Sequence, residues 1–175
     1  NLWTLFKDFR NKRINVGEKL AGQAFDIVGA SNAILIYSQS KRVIDCLLNL
    51  DPTRQREITL LIAECRPKSP SQFQDALSTV QFLRDTQYKI DLIPDAAIAH
   101  LISKGQIDLV LMGAHQVLKN SSGDFTHFVN TCGSEMVVKI ATAHGVPTKV
   151  IFESDKIVSY RDAKVFDRIS YDEEE

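Results

Sequence analysis

The chain has 175 residues, 44% of them apolar and 25% charged, with 21 Lys and Arg against 22 Asp and Glu for a formal net charge of −1. That apolar fraction excludes a disordered chain, and no apolar run approaches the roughly 18 residues of a membrane-spanning helix. Four of the acids are the terminal Asp172, Glu173, Glu174 and Glu175, leaving 21 bases against 18 acids, a net +3, which gives no basic footprint for direct nucleic-acid binding.

Apolar residues at Leu2, Leu5, Phe6, Phe9, Ile14, Val16, Leu20, Ala24, Ile27 and Val28 recur largely at helical spacing and predict one or two lead-in helices over residues 1–28. From Ala33 to Ser154 short aliphatic runs alternate with helical stretches, the pattern of an α/β parallel sheet with helices on both faces. Strands are predicted at Ala33 to Tyr37, Ile58 to Glu64, Tyr88 to Ile93, Leu109 to Gly113 and Thr148 to Glu153. Helices are predicted at Ser40 to Leu50, Ser71 to Thr86, Asp95 to Lys104 and Ser134 to His144, with Ser71 and Asp95 as N-caps. Gly105 and Gly145 fall where helix ends need a positive φ. Asn120-Ser121-Ser122-Gly123 is a polar turn between Val117-Leu118 and Phe125 to Val129, which predicts a hairpin beyond the fourth strand. The stretch 159–175 reads as a C-terminal tail with a solvated, frayed end. Asn1 in place of Met is expected to mark a domain cut or processed from a longer chain.

Cys46, Cys65 and Cys132 are an odd set with no CxxC or Cys/His metal spacing, so a reducing, cytoplasmic compartment is expected and no metal or other cofactor. All three cysteines lie in apolar neighbourhoods and read as packing residues.

Ligands of open α/β sheets gather at the carboxyl ends of the strands. Those ends carry Ser38-Gln39-Ser40, Glu64-Cys65-Arg66-Pro67, Pro94-Asp95, Gly113-Ala114-His115 and Glu153-Ser154-Asp155-Lys156. In Asn130-Thr131-Cys132-Gly133-Ser134 a helix start offers amides and hydroxyls to a phosphate or carboxylate, with Arg66 and Lys156 as compensating charge. Each also has a plainer role: Ser38 or Ser40 as a helix cap, Asp95 as a cap first and a site residue second, Glu64 with Arg66 as an ion pair. His115, alone, reads against a metal ligand.

Taken in order, Ala63-Glu64-Cys65-Arg66-Pro67, Ile93-Pro94-Asp95-Ala96-Ala97-Ile98, Asp108 to Ala114, Asn130 to Ser134, Gly145-Val146-Pro147 and Glu153-Ser154-Asp155-Lys156 resemble one superfamily over roughly Ile34 to Ile157. It joins the regulatory subunits (alpha, beta, delta) of translation initiation factor 2B to methylthioribose 1-phosphate and ribose 1,5-bisphosphate isomerases. The resemblance implies a Rossmann-like domain over 29–158, of the ribose-phosphate isomerase and coenzyme A transferase type, preceded by the remnant of a helical region. It also implies assembly as a homodimer or with paralogous subunits, initiation factor 2 as a partner at one remove, and a small phosphorylated metabolite as ligand, without membrane attachment.

The isomerases' proposed acid and base, a cysteine after the first strand and the aspartate of a G-A-D motif, correspond to Ser38 and His115. A hydroxyl is a poor substitute for a thiol acid, and a histidine moves a proton only with a partner in place. Ile34-Leu35-Ile36-Tyr37-Ser38-Gln39-Ser40-Lys41-Arg42-Val43 resembles instead the run of the regulatory subunits. Ser134 stands where threonine is usual, and Pro70-Ser71 departs from the glycine that often follows R-P. The expectation is a non-catalytic regulatory or scaffolding domain whose ligand site comprises Ser38, Arg66, Asp95, Gly113, His115, Asn130, Gly133, Ser134 and Lys156. The alternative is an aldose–ketose isomerase in which His115, Asp95 and Ser38 move the proton.

Overall fold

A computed structural model describes residues 22–65 and 74–159. Five strands form one parallel sheet: β1 (Ala33–Tyr37), β2 (Thr59–Ala63), β3 (Lys89–Ile93), β4 (Leu109–Gly113) and β7 (Thr148–Ile151), in the order β3-β2-β1-β4-β7. The register pairs Leu35 with Leu61 on one side and with Val110 on the other. Every residue of β4 is buried, as the centre of a sheet covered on both faces requires.

Side-chain alternation divides the interior into two layers. Ile34 and Ile36 of β1 face helices α1 (residues 22–28), α2 (Lys41–Leu48) and α4 (Gln74–Leu83), packing with Ala24, Val43, Leu47 and Leu83. Leu35 and Tyr37 face α5 (Ile98–Ser103) and α6 (Ser134–Ala143), packing with Ile98, Ile102, Val137 and Ala141. Each fully buried aliphatic side chain contributes about 1.5–3 kcal/mol. Polar struts join the layers' ends: the Asp108 carboxylate accepts from the amides of Asn32 and Ala33, and Lys149 Nζ donates to the carbonyls of Asp26 and Ile27, capping the end of α1.

The fold differs from the sequence reading in several places. A short helix, α3 (Pro52–Arg56), follows α2, because Asp51 accepts from the amides of Thr53 and Arg54 while Pro52 opens the first turn. The third predicted helix begins as a 3-10 turn, Asp95–Ala97, whose N-cap is Pro94 with no side-chain bond, so Asp95 is not a cap. The last parallel strand ends at Ile151, and a 3-10 turn at Ser154–Lys156 leads into β8 (Ile157–Ser159). β8 pairs in parallel with β5 (Gln116–Lys119), which forms the expected antiparallel hairpin with β6 (Phe125–Val129). Phe152 meets Phe125 edge to face at 5.6 Å, and Lys119 Nζ lies 4.5 Å from the Phe125 ring centre. Gly105 and Gly145 have the expected positive φ, 67° and 70°. Ser159, assigned to the tail, ends β8; the first lead-in helix, the Ser71 cap, the Pro70-Ser71 loop and residues 160–175 fall outside the described residues.

Candidate functional site

The chain lays down β1, β2 and β3 in one direction and then crosses to β4 on the other side of β1, so the strand order reverses between β1 and β4. A crevice opens at such a reversal beyond the carboxyl ends. Ser38 follows β1 there, and Gly113 ends β4. A Cβ at Gly113 would stand 2.5 Å from Ser40 Oγ, so only glycine lets the end of β4 lie against the start of α2. Ser40 is the cap of α2, accepting from the Val43 amide at 3.5 Å. Ser38 is not a cap.

Ser38 adopts φ 68° and Cys65 φ 48°, and they are the two non-glycine residues with positive φ among the described residues. The Ser38 amide donates to Cys65 Sγ at 2.9 Å, and the Ser38 hydroxyl lies 2.9 Å from the Thr131 hydroxyl. Asp95 reaches across from the end of β3, its Oδ1 accepting from the Cys65 amide at 3.0 Å. Three strand ends and the loop before α6 are thereby joined by hydrogen bonds.

That loop is itself internally bonded. Ser134 Oγ donates to the Thr131 carbonyl at 2.7 Å and accepts from Asn130 Nδ2 at 3.0 Å. Tyr37, buried at the end of β1, donates from its hydroxyl to the Cys132 carbonyl at 2.8 Å. Burial raises the Tyr37 pKa well above the phenol's ordinary value, and the negative charges that Cys65, Asp95 and Cys132 can carry raise it further, so the phenol stays protonated and serves as a donor. Gly133 caps α6 at φ 93°. In the first turn of α6 the Ser134 amide donates to the Thr131 carbonyl, and the amides of Glu135 and Met136, which have no intrahelical carbonyl, are left for an anion. Glu135 in that turn is solvent-exposed and pairs with Lys139, whose hydrogen bond and charge lower the pKa of its carboxyl below the usual range.

Of the cations, Lys156 donates to the Ala114 carbonyl at 2.6 Å, which brings it to the end of β4, and Arg66 lies outside the described residues. A third cation was missed in the sequence. Arg42, on α2, is 5% exposed, donates from Nε to Glu153 and from an Nη to Asp45, and keeps its other Nη without a hydrogen-bond partner among the described residues. Burial alone would lower the guanidinium pKa, but the bonds and charges of Glu153 and Asp45 outweigh it and raise it. His115 is exposed, and its backbone amide serves the hairpin by donating to Val129 at 2.8 Å. No hydrogen bond links its ring to Ser38 or Asp95 among the described residues.

The structure thus brings together Ser38, Asp95, Asn130, Gly133 and Ser134, with Gly113 and Lys156 at the neighbouring strand end. It corrects the reading of Cys132 as an apolar packing residue, since that side chain is exposed while Cys46 and Cys65 are buried. Tyr37 and Cys65, which the sequence reading did not assign to the site, connect it. A hydroxyl-bearing ring closing an otherwise aliphatic strand was the signal for Tyr37. Among the described residues no cluster of His, Cys, Asp and Glu could hold a metal ion, and no helix is long and apolar enough to cross a membrane.

Comparison with known proteins agrees with this architecture. The model of the initiation factor 2 subunit family matches residues 1–174. Methylthioribose-1-phosphate isomerase of Gemmatimonas aurantiaca is 36% identical over 94 residues, covering 54% of this chain and 25% of its own. The Syntrophobacter fumaroxidans enzyme of the same name is 32% identical over 111 residues, covering 63% and 28%. The chain thus aligns with little more than a quarter of these relatives' length. Among solved structures, the Pyrococcus horikoshii OT3 translation initiation factor eIF-2B superposes with a TM-score of 0.65 at 18% identity, over 83% of this chain and 49% of its own. The 5-methylthioribose 1-phosphate isomerase of the same organism gives 0.59 at 20% identity, over 80% and 38%. A chain of the tetrameric eIF2B-beta2-delta2 complex from C. thermophilum gives 0.59 at 17% identity, over 81% and 44%. At these identities the structural likeness is one of fold, whereas the family match runs nearly end to end: the chain belongs to the initiation factor 2 subunit family.

Proposed function

We propose that this chain is a non-catalytic, initiation factor 2B-like regulatory or scaffolding domain that binds a small phosphorylated metabolite at its strand ends and assembles with itself or with paralogous subunits. The observation that carries this reading is the condition of Ser38, which stands where the isomerases' cysteine is expected. It is 8% exposed, its hydroxyl is engaged with Thr131 and its amide with Cys65. A proton acid must be free to reach its substrate, and this hydroxyl is weak and already bonded. His115 is exposed and outside the network, and the Asp95 carboxylate holds the Cys65 amide. The phosphate would lie on the first turn of α6, against the amides of Glu135 and Met136, with Lys156 and Arg66 supplying charge. The solved tetramer of like fold supports assembly with paralogous subunits.

Thermal shift against sugar phosphates and nucleoside monophosphates, with light scattering, tests the reading. A specific ligand at 100 times its Kd stabilises by about 2.7 kcal/mol. Stabilisation by a phosphorylated compound but not by its unphosphorylated parent, in a dimer or larger assembly, is the expected result. A monomer that no phosphorylated compound stabilises would overturn it. The isomerase alternative draws on the names of the curated relatives and assigns proton transfer to His115 with Asp95.

A further inference from the structure

Two residues in the left-handed region, each strained by about 1–2 kcal/mol in a non-glycine residue, occur at the ends of adjacent strands and are bonded to each other. Such strain persists only where surrounding contacts determine it. Here the contacts form a path that runs beside the bond from the Tyr37 hydroxyl to the Cys132 carbonyl. The Asp95 carboxylate fixes the Cys65 amide, Cys65 Sγ fixes the Ser38 amide, and the Ser38 hydroxyl meets Thr131. The Thr131 carbonyl then accepts both the hydroxyl and the amide of Ser134, the first residue of α6. Cys65 is 2% exposed and Ser38 8%, so water has little access to replace the sulfur as acceptor.

We propose that Cys65 is a positioning residue of the ligand site: through Ser38 and Thr131 it sets the conformation of residues 130–134, and with it the first-turn amides of α6. This rests on the metabolite-binding reading above for its consequence to affinity, but not for its geometry. Cys65 touches no ligand in this role. It acts on the pocket by holding Ser38 left-handed.

Amide hydrogen exchange on the full chain tests it, read at Ser134 and Val137, whose amides donate to Thr131 and Gly133. Cys65→Ala leaves the Ser38 amide buried without its acceptor, and exchange at both positions is expected to rise about 10-fold. Cys65→Ser, which restores an acceptor atom, is expected to bring it back to within about 3-fold of wild type. Cys46→Ala, at a thiol equally buried in the opposite layer, lowers the melting temperature and leaves these amides unchanged. Should Cys65→Ala fail to fold, Asp95→Ala against Asp95→Asn opens or preserves the same path one step earlier. Unchanged exchange in Cys65→Ala, a response no larger than that of Cys46→Ala, or Cys65→Ser behaving as Cys65→Ala would overturn the proposal. If Cys65→Ala does not fold, unchanged exchange in Asp95→Ala does so. A parallel thermal-shift titration with ribose 1,5-bisphosphate is expected to show about 10-fold weaker binding in Cys65→Ala and none of that loss in Cys46→Ala. If this compound fails to bind wild type, that counts against the metabolite reading, and amide exchange still decides the positioning role.

Discussion

The Tyr37 hydroxyl occupies the place where a side chain on Gly133 would begin: a Cβ there would overlap the phenol oxygen, which donates to the Cys132 carbonyl next door. One ring thus ties the end of β1 to the loop before α6, and it fixes glycine at that position twice over, by space and by a φ of 93°.

This pair gives a double-mutant cycle. Gly133→Ala is expected to destabilise by about 3 kcal/mol, combining left-handed strain with the overlap, and Tyr37→Phe by about 1 kcal/mol for the lost hydrogen bond. Removing the hydroxyl takes away the closest overlap and leaves the ring carbon Cζ at 2.9 Å from the methyl, so urea unfolding of the double variant should show a loss at least ~1 kcal/mol smaller than the two added. Additivity within ~0.5 kcal/mol would contradict the overlap.

Arg42 makes a different kind of prediction. Its Nε lies 2.6 Å from Glu153 and an Nη 2.8 Å from Asp45, and both the arginine and Glu153 are largely removed from water. Glu153→Leu alone takes one of two carboxylates from a buried cation and should cost about 2 kcal/mol, Asp45 remaining at 2.8 Å. Arg42→Met with Glu153→Leu replaces both charges by apolar volume and should recover most of it, because Asp45 keeps its second partner, Lys41, at 2.9 Å. Equal unfolding midpoints for single and double variants would argue against a buried pair.

Stability should fall at alkaline pH. Burial pushes the Cys46 thiol up to about 11 from an ordinary 9.0, against a smaller opposing pull from Lys149. The unfolded chain gives up this proton near pH 9 and the folded chain does not, so the contribution is complete below pH 9 and is lost as pH rises toward 11. The slope is about 1.4 kcal/mol per pH unit between those values. Tyr37 and Tyr88, whose phenols burial also pushes upward from 10.0, add to the loss above pH 10. Urea midpoints from pH 8 to 10 should decline in wild type and decline less steeply in Cys46→Ala; parallel slopes would be inconsistent with the shifted thiol.

How far the sequence foretold this varies with the range of the interactions. β1 and β4 were legible to the residue, since Ala33–Tyr37 and Leu109–Gly113 are apolar runs opened by the polar Asn32 and Asp108. The helix at Pro52–Arg56 was missed because a five-residue helix has no apolar period to read, and only the Asp51-Pro52 pair announces it. Asp95 looked like a cap by local rules, but its carboxylate is taken by the amide of Cys65, 30 residues away. Cys132 reads as a packing residue by its type, yet it stands among Asn130, Thr131, Gly133 and Ser134 and its side chain is exposed. The ligand-site residues could be named from motifs, whereas the Asp95–Cys65–Ser38–Thr131 path depends on tertiary bonds that spacing does not reveal.

The most direct test of the central claim is NMR of methylthioribose 1-phosphate and ribose 1,5-bisphosphate incubated with high concentrations of the full chain. Broadened or shifted phosphorus resonances with no ketose product are the expected result, and accumulation of a ketose that Ser38→Ala or His115→Ala abolishes would contradict a non-catalytic domain.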